Sequence, residues 1–185
     1  MLKDLVLDVT IEIPKNSKIK YEFDRETKQI RIDRILYGPS AYPQNYGFVK
    51  EALDWDGDEL DVLVFADQEF LPGTIVPTRI IGALEMIDNG ETDTKLIGII
   101  DVDPRYKWIE SMDHMPKHWL LEMKDFFETY KRLQKKHVLI KDFKDREWAI
   151  KEYFECKHLM EVHGSTPKEK FVEKMKNLHP EKYAN

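Results

Sequence analysis

Asp54-Trp55-Asp56-Gly57-Asp58-Glu59-Leu60-Asp61 runs straight into Val62-Leu63-Val64-Phe65-Ala66, an acidic turn feeding an apolar strand. Like charges packed this tightly repel, so a fold that gathers them needs a cation to offset them. The run holds oxygen donors and neither Cys nor His, which points to Mg²⁺, Mn²⁺ or Ca²⁺ rather than Zn²⁺. A solvated acidic loop is the competing reading of the run taken alone. A helix-loop-helix calcium site does not fit. Counted from Asp54, the required Gly falls on Glu59 and the closing Glu on Phe65; counted from Asp56, the third ligand falls on Leu60.

Working outward, the first two thirds of the chain read as strands. Residues 5–13, 19–23 and 29–36 alternate loosely between polar and apolar, with Ile30, Ile32 and Leu36 expected to face inward and Glu26-Thr27-Lys28 a polar turn. Residues 60–66, 75–84 and 95–102 are further β-branched runs, punctuated by Gly73, Gly90 and several prolines. Short strands without intervening helices predict an antiparallel barrel or sandwich, not a doubly wound parallel sheet.

The last third changes period. Trp119, Met123, Phe126, Tyr130 and Leu133 recur at helical spacing over residues 116–135. Asp145 is placed to cap a second helix carrying Ala149, Tyr153, Cys156 and Met160, with Gly164 at its end. Thr166-Pro167-Lys168-Glu169 reads as a capping box opening a third helix, lined by Phe171, Val172, Met175 and Leu178 and stopped by His179-Pro180. The prediction is one α+β domain over residues 1–185, a barrel to about 105 and a helical part from about 113.

The chain has 185 residues, 42% apolar and 35% charged, enough for one globular domain with a real core. A formal net charge of −6 argues against a nucleic-acid partner. Cys156 is the only cysteine, so no intrachain disulfide is possible, which fits a reducing cytoplasm. No apolar stretch approaches the roughly 18 residues of a membrane span. The start, Met1-Leu2-Lys3-Asp4-Leu5, lacks a leader pattern, and the expected location is cytoplasmic.

Two further stretches could carry chemistry. Asp88-Asn89-Gly90-Glu91-Thr92-Asp93-Thr94-Lys95 is a polar hairpin turn or a second acidic group beside a possible anion contact. Tyr42-Pro43-Gln44-Asn45-Tyr46-Gly47 either packs a loop or offers phenolic hydroxyls to a phosphate. Phosphate-loop, dinucleotide, nucleophile-elbow and HExxH motifs are absent, and the six histidines fall in or near the helical third, away from the acidic groups.

Asp56-Gly57-Asp58-Glu59-Leu60-Asp61-Val62 resembles the DxDxxDV signature of the family I soluble inorganic pyrophosphatases. Glu12-Ile13-Pro14, Ile19-Lys20-Tyr21-Glu22, Asp33-Arg34, Tyr42 to Gly47, Asp88 with Asp93 and Lys95, and Phe126 to Lys131 follow the same family's order. One DxDxxD is a weak signal, but a series of ordered blocks over residues 12–133 is a strong one. The resemblance implies a five-stranded barrel of the oligonucleotide-binding type, helices packed outside it, and a homo-hexamer. It implies Mg²⁺-dependent hydrolysis of pyrophosphate to two orthophosphates, with Mn²⁺ as a possible substitute. By resemblance, Asp56, Asp61 and Asp93 hold a pair of ions flanking the attacking water and Asp58 is the general base. Asp88 with Asp93 then hold a further ion arriving with substrate, supported by Glu12 and Glu22. Arg34, Tyr130 and Lys131 resemble binders of the leaving phosphate, and Lys20, Tyr46 and Lys95 binders of the electrophilic one, with Tyr42 in support. The chain departs from the family at Ile99-Ile100, where many members have Val-Pro. It also departs at Asp125 and Thr129, where some bacterial members carry histidines between subunits. Rival readings are a nucleotide hydrolase, a single-strand-binding barrel, which would want a basic aromatic groove, and a passive cation binder.

Overall fold

The structure, a computed structural model, describes residues 4–24 and 27–183; the expectations resting on Met1 to Lys3 and on Glu26 lie outside them. Its strands are β1 (Val6–Ile13), β2 (Ile19–Asp24), β3 (Gln29–Ile35), β4 (Asn45–Leu53), β5 (Glu59–Phe65), β6 (Ile75–Asp88), β7 (Glu91–Thr92), β8 (Lys95–Ile100) and β9 (Val138–Lys144). The helices are α1 (Lys117–Thr129), α2 (Arg146–His163) and α3 (Lys168–Leu178). Five strands pair in the order β1-β4-β5-β8-β6, and β6 returns to β1, closing a barrel. The expected barrel with outer helices is present, but its ladder is mixed: β5 and β8 run parallel, while the other four seams are antiparallel. The cause is the chain path. After β5 the chain crosses to β6, which pairs with β1, then folds back through β7 into β8, which inserts between β6 and β5.

Both faces of β5 are buried, which is why it reads as an unbroken apolar run. Leu60, Val62 and Val64 join a core with Ala149, Tyr153 and Cys156 of α2, and Leu63 and Phe65 join a second core with Met123, Phe126 and Phe127 of α1. The alternation follows from the two-residue period of a strand. Burying each large apolar side chain contributes roughly 1.5–3 kcal/mol.

β4 was hidden in the sequence by Pro43 and Gly47. Gly47 is required, since a Cβ there would sit 2.2 Å from the Thr10 carbonyl oxygen of β1. β2 and β3 form a separate hairpin, so Ile32, expected inward, is 63% exposed because no layer covers it. β9 extends the long outer half of β6 and lies in a region that was expected to be helical.

The helix stripes hold, with differences at the ends. α1 stops at Thr129, and the chain leaves the helical path through a 3₁₀ turn at Arg132–Gln134. Asp145 caps α2, accepting from the Trp148 N–H at 2.9 Å. The expected capping box of α3 does not form: Pro167 occupies the cap position and no side chain caps the helix. α3 is instead held by packing, as a helix of 11 residues must be. Phe171, Val172, Met175 and Tyr183 close a third core with Leu53, Trp55 and Leu159. Among the described residues, no helix is long and apolar enough to cross a membrane.

Candidate active site

The parallel seam decides where the acids gather. Strands that run the same way start at the same rim, so the acidic run before β5 and the block before β8 open at one mouth of the barrel. β6, antiparallel to β8, ends there with Asp88. Asn89 and Gly90, both at positive φ, turn β6 into β7 and bring Glu91 opposite Asp88.

Between these elements lies a cavity of about 450 Å³ whose walls are carboxylates and lysines over an aromatic floor of Tyr42, Tyr46, Phe127 and Tyr130. Of the residues singled out from the sequence, Glu12, Lys20, Glu22, Tyr42, Tyr46, Asp56, Asp58, Asp61, Asp88, Asp93, Lys95, Tyr130 and Lys131 line it. Arg34 does not line it. It stands beside Lys20 on the β2–β3 hairpin, hydrogen-bonded to Asp33, with Nε and Nη2 buried and without hydrogen-bond partners among the described residues. Lys168 of α3 also lines the cavity, and no sequence motif pointed to it.

The contacts interlock. Lys95 Nζ donates to Asp61 Oδ2 at 2.6 Å and also to Asp93, so carboxylates from two separate segments share one ammonium. Tyr46 donates its phenol to Asp61, Lys131 pairs with Asp88, and Lys20 pairs with Glu22. Asp58 donates its backbone N–H to Asp56 Oδ1 at 3.0 Å, while its carboxylate pairs with Lys168. Glu12 accepts from the Phe23 N–H at 2.7 Å.

Charge is crowded here beyond what these lysines offset. Burial, then the neighbouring Asp61 charge, pushes Glu12 up to about 8. Burial, then Asp93 and Asp58, pushes Asp56 up to about 8 as well. Burial also raises Asp61, with Asp93 adding to it and Lys95 opposing. Burial and Asp61 raise Tyr46, and burial raises Tyr130, so both phenols stay protonated as donors. Burial works against the Lys95 charge, but Asp61 and Asp93 outweigh it and raise that group. Asp88 Oδ1 is buried with no hydrogen-bond partner among the described residues. Hard oxygen donors that repel one another, one of them orphaned, fit a divalent cation that prefers oxygen.

A second acidic group sits behind the cavity. Ligand atoms of Asp54, Glu152 and Cys156 all lie within 4.8 Å of one another. Each of its carboxylate oxygens already has a donor. Asp54 accepts from the N–H groups of Trp55 at 2.8 Å and Thr94 at 2.9 Å, and Glu152 accepts from the Trp55 indole at 2.9 Å and from Lys182 at 3.1 Å. This group ties loop, barrel and C-terminal segment together.

Comparison with known proteins supplies the family. The family model described as inorganic pyrophosphatase matches residues 9–161. The chain belongs to the inorganic pyrophosphatase family. An inorganic pyrophosphatase of Malacoplasma penetrans is 65% identical over 177 residues, covering 96% of this chain and 98% of that protein, a match too long to leave out Lys168. An inorganic pyrophosphatase of Geobacillus stearothermophilus is 44% identical over 82% of this chain and 92% of its own. The solved inorganic pyrophosphatase of Helicobacter pylori superposes with a TM-score of 0.82 at 42% identity, covering 84% of this chain and 94% of that one. Family membership makes the chain a pyrophosphate-hydrolysing enzyme that needs a divalent metal, and the acidic cavity offers oxygen donors of the kind such an ion prefers.

Proposed function

We infer that this cavity hydrolyses pyrophosphate to two orthophosphates with Mg²⁺ as its ion, and we assign the residue roles as follows. The observation that carries the reading is the single Lys95 ammonium bonded to both Asp61 and Asp93, which unites acids from two separate segments with a phosphate-binding cation. Asp56, Asp61 and Asp93, with Asp88 beside them, would hold the ions, and Glu12 and Glu22 would support that side. Bound there, divalent ions acidify a water and neutralise phosphate oxygens.

The other steps belong to the chain. Asp58 takes the proton of the attacking water; its side chain is 56% exposed at the cavity mouth and can pass that proton on to solvent. Lys20, Tyr46 and Lys95 hold the electrophilic phosphate. Tyr130 and Lys131 hold the leaving one, with Tyr42 packed under Tyr46 and Phe126. Arg34 is assigned to the same phosphate, which it would have to reach from its place beside Lys20, outside the cavity lining. The unpartnered N–H groups of Arg34 suit an anion, because a guanidinium fork matches two phosphate oxygens. Pre-aimed donors of this kind stabilise charge as it develops on the leaving group.

The test is phosphate release from pyrophosphate with Mg²⁺, with ATP as the control substrate. Release from pyrophosphate and little from ATP is the expected result; activity on ATP alone would mean a nucleotide hydrolase, and none on either a binding protein. Asp58→Asn should lower kcat at neutral pH by roughly 10²–10⁴-fold with the melting curve unchanged. The same reading expects a homo-hexamer in the cytoplasm, and sedimentation of the purified chain checks the assembly.

A further inference from the structure

Among the described residues, nineteen of the twenty that line the cavity fall between Glu12 and Lys131, inside the family-matched segment; the exception is Lys168, the first residue of α3, which lies beyond residue 161. We propose that α3 delivers Lys168 as a positioning residue for Asp58, pinning that carboxylate at the cavity mouth and acting there as a resident cation that competes with divalent ions for the acidic wall. The catalytic half of this inference rests on the role given to Asp58 above.

Asp58 needs such a partner. It follows Gly57, whose φ is +86°, at the tip of the acidic loop, and its side chain is more than half exposed. Among the described residues, Lys168 is the side chain bonded to its carboxylate. An exposed ion pair between two free side chains holds little, because two long chains must be ordered for a screened attraction. Lys168 is not free in that sense. Its stem lies over Gly57 so closely that a Cβ on that glycine would meet Lys168 Cγ at 3.0 Å and Phe171 Cδ1 at 3.4 Å. Phe171, Val172 and Met175 are buried one and two turns further along, so the ammonium is carried by an anchored backbone.

The anchor also spans both acidic elements. Tyr183 donates to the Trp55 carbonyl at 2.6 Å within the acidic run, and Lys176 reaches Glu91 at 3.0 Å on the β6–β7 hairpin. Thr92 donates to the Lys182 carbonyl, and Glu91 bridges to Tyr183. Lys168 is therefore fixed relative to the loop before β5 and to the hairpin before β8 together. A unit positive charge so placed lowers the attraction of the wall for a second cation.

The experiment uses the full chain. Lys168→Met keeps the stem over Gly57 and removes the charge, and Lys168→Arg keeps the charge. Calorimetric titration of each with Mg²⁺, without substrate, should show Lys168→Met binding about three- to tenfold more tightly and Lys168→Arg within about twofold of the native chain. At saturating Mg²⁺, kcat of Lys168→Met should fall about three- to tenfold and be restored by Lys168→Arg. In an Asp58→Asn background the kcat effect should vanish, since there is no base left to position. Unchanged Mg²⁺ affinity in Lys168→Met, with an unchanged melting curve, would overturn the inference. A kcat loss that persists with Asp58→Asn would overturn the positioning role, because Lys168 would then act on substrate directly. Should Asp58→Asn alone leave kcat intact, the base role of Asp58 fails, and the Mg²⁺ titration still decides whether Lys168 competes with the ion.

Discussion

Asp54 and Asp56 are two residues apart in one acidic run, yet they belong to opposite kinds of site. Asp54 is buried, and both its oxygens accept backbone N–H groups. Its neighbours Glu152 and Cys156 are buried with it, and Glu152 is satisfied by an indole and a lysine. Asp56 faces the cavity, where Asp58, Asp61 and Asp93 converge and where Asp88 keeps an oxygen without a partner. The number of acids does not separate the two groups. What separates them is the kind of partner. Asp54 is met by fixed backbone N–H groups in a buried place. The cavity acids lean mainly on lysines and a phenol that line the same cavity and leave one Asp88 oxygen over, so the first group suits holding the fold and the second suits the cation proposed above.

The comparison can be broken most sharply at Asp56. Asp56→Asn keeps an oxygen for the Asp58 N–H and removes a carboxyl that is costly to ionise where it stands. Mg²⁺ affinity, read by calorimetry, should fall about a hundredfold or more, the upper range seen when a metal's supporting groups are lost. The metal-free melting temperature should hold or rise. A fall in both would place Asp56 with the structural cluster.

Asp54→Ala tests the other side. It strands the N–H groups of Trp55 and Thr94 in a buried place, and each such loss costs about 1–3 kcal/mol. Chemical denaturation should show a loss of about 2–4 kcal/mol, with Mg²⁺ affinity nearly unchanged. A large loss of affinity with intact stability would reverse the assignment.

A third contrast is in pH. Glu12 ionises near 8 in the folded, metal-free chain against 4.5 when unperturbed. Its folded-state pKa is raised, so its contribution to stability is full below the unperturbed value and is lost as pH rises through the folded one. Between pH 4.5 and about 8 the metal-free chain should lose stability from this group, and Glu12→Gln should flatten that slope in thermal melts. Saturating Mg²⁺ should flatten it too. A native slope as flat as the variant's would mean the Glu12 carboxyl is not held above its ordinary range.

These contrasts also show what the sequence could and could not convey. β5 was legible because both its faces are covered, and α2 because Asp145 caps a stripe at helical spacing. β4 was not, because the feature that makes it possible, a missing side chain at Gly47 where Thr10 of β1 crosses, reads locally as a turn. β9 carries Lys141, Asp142 and Lys144, and its strand character comes from the free edge of β6. The acids of the cavity were legible as ordered blocks, but Lys168 was not: its contact with Asp58 spans 110 residues and has no local signature. The difference between Asp54 and Asp56 was equally invisible, since it depends on which backbone N–H groups happen to face each carboxylate.

The mixed ladder carries one more consequence. Asp61 and Lys95 are direct partners across the parallel seam, each flanked by buried strand residues. Sliding one strand by a single residue would turn its member of the pair to the opposite side of the sheet. The seam therefore works as a ruler, with backbone pairing holding an anion and a cation side by side at strand spacing. Any ion or phosphate that enters meets a gauge already set, and must conform to it.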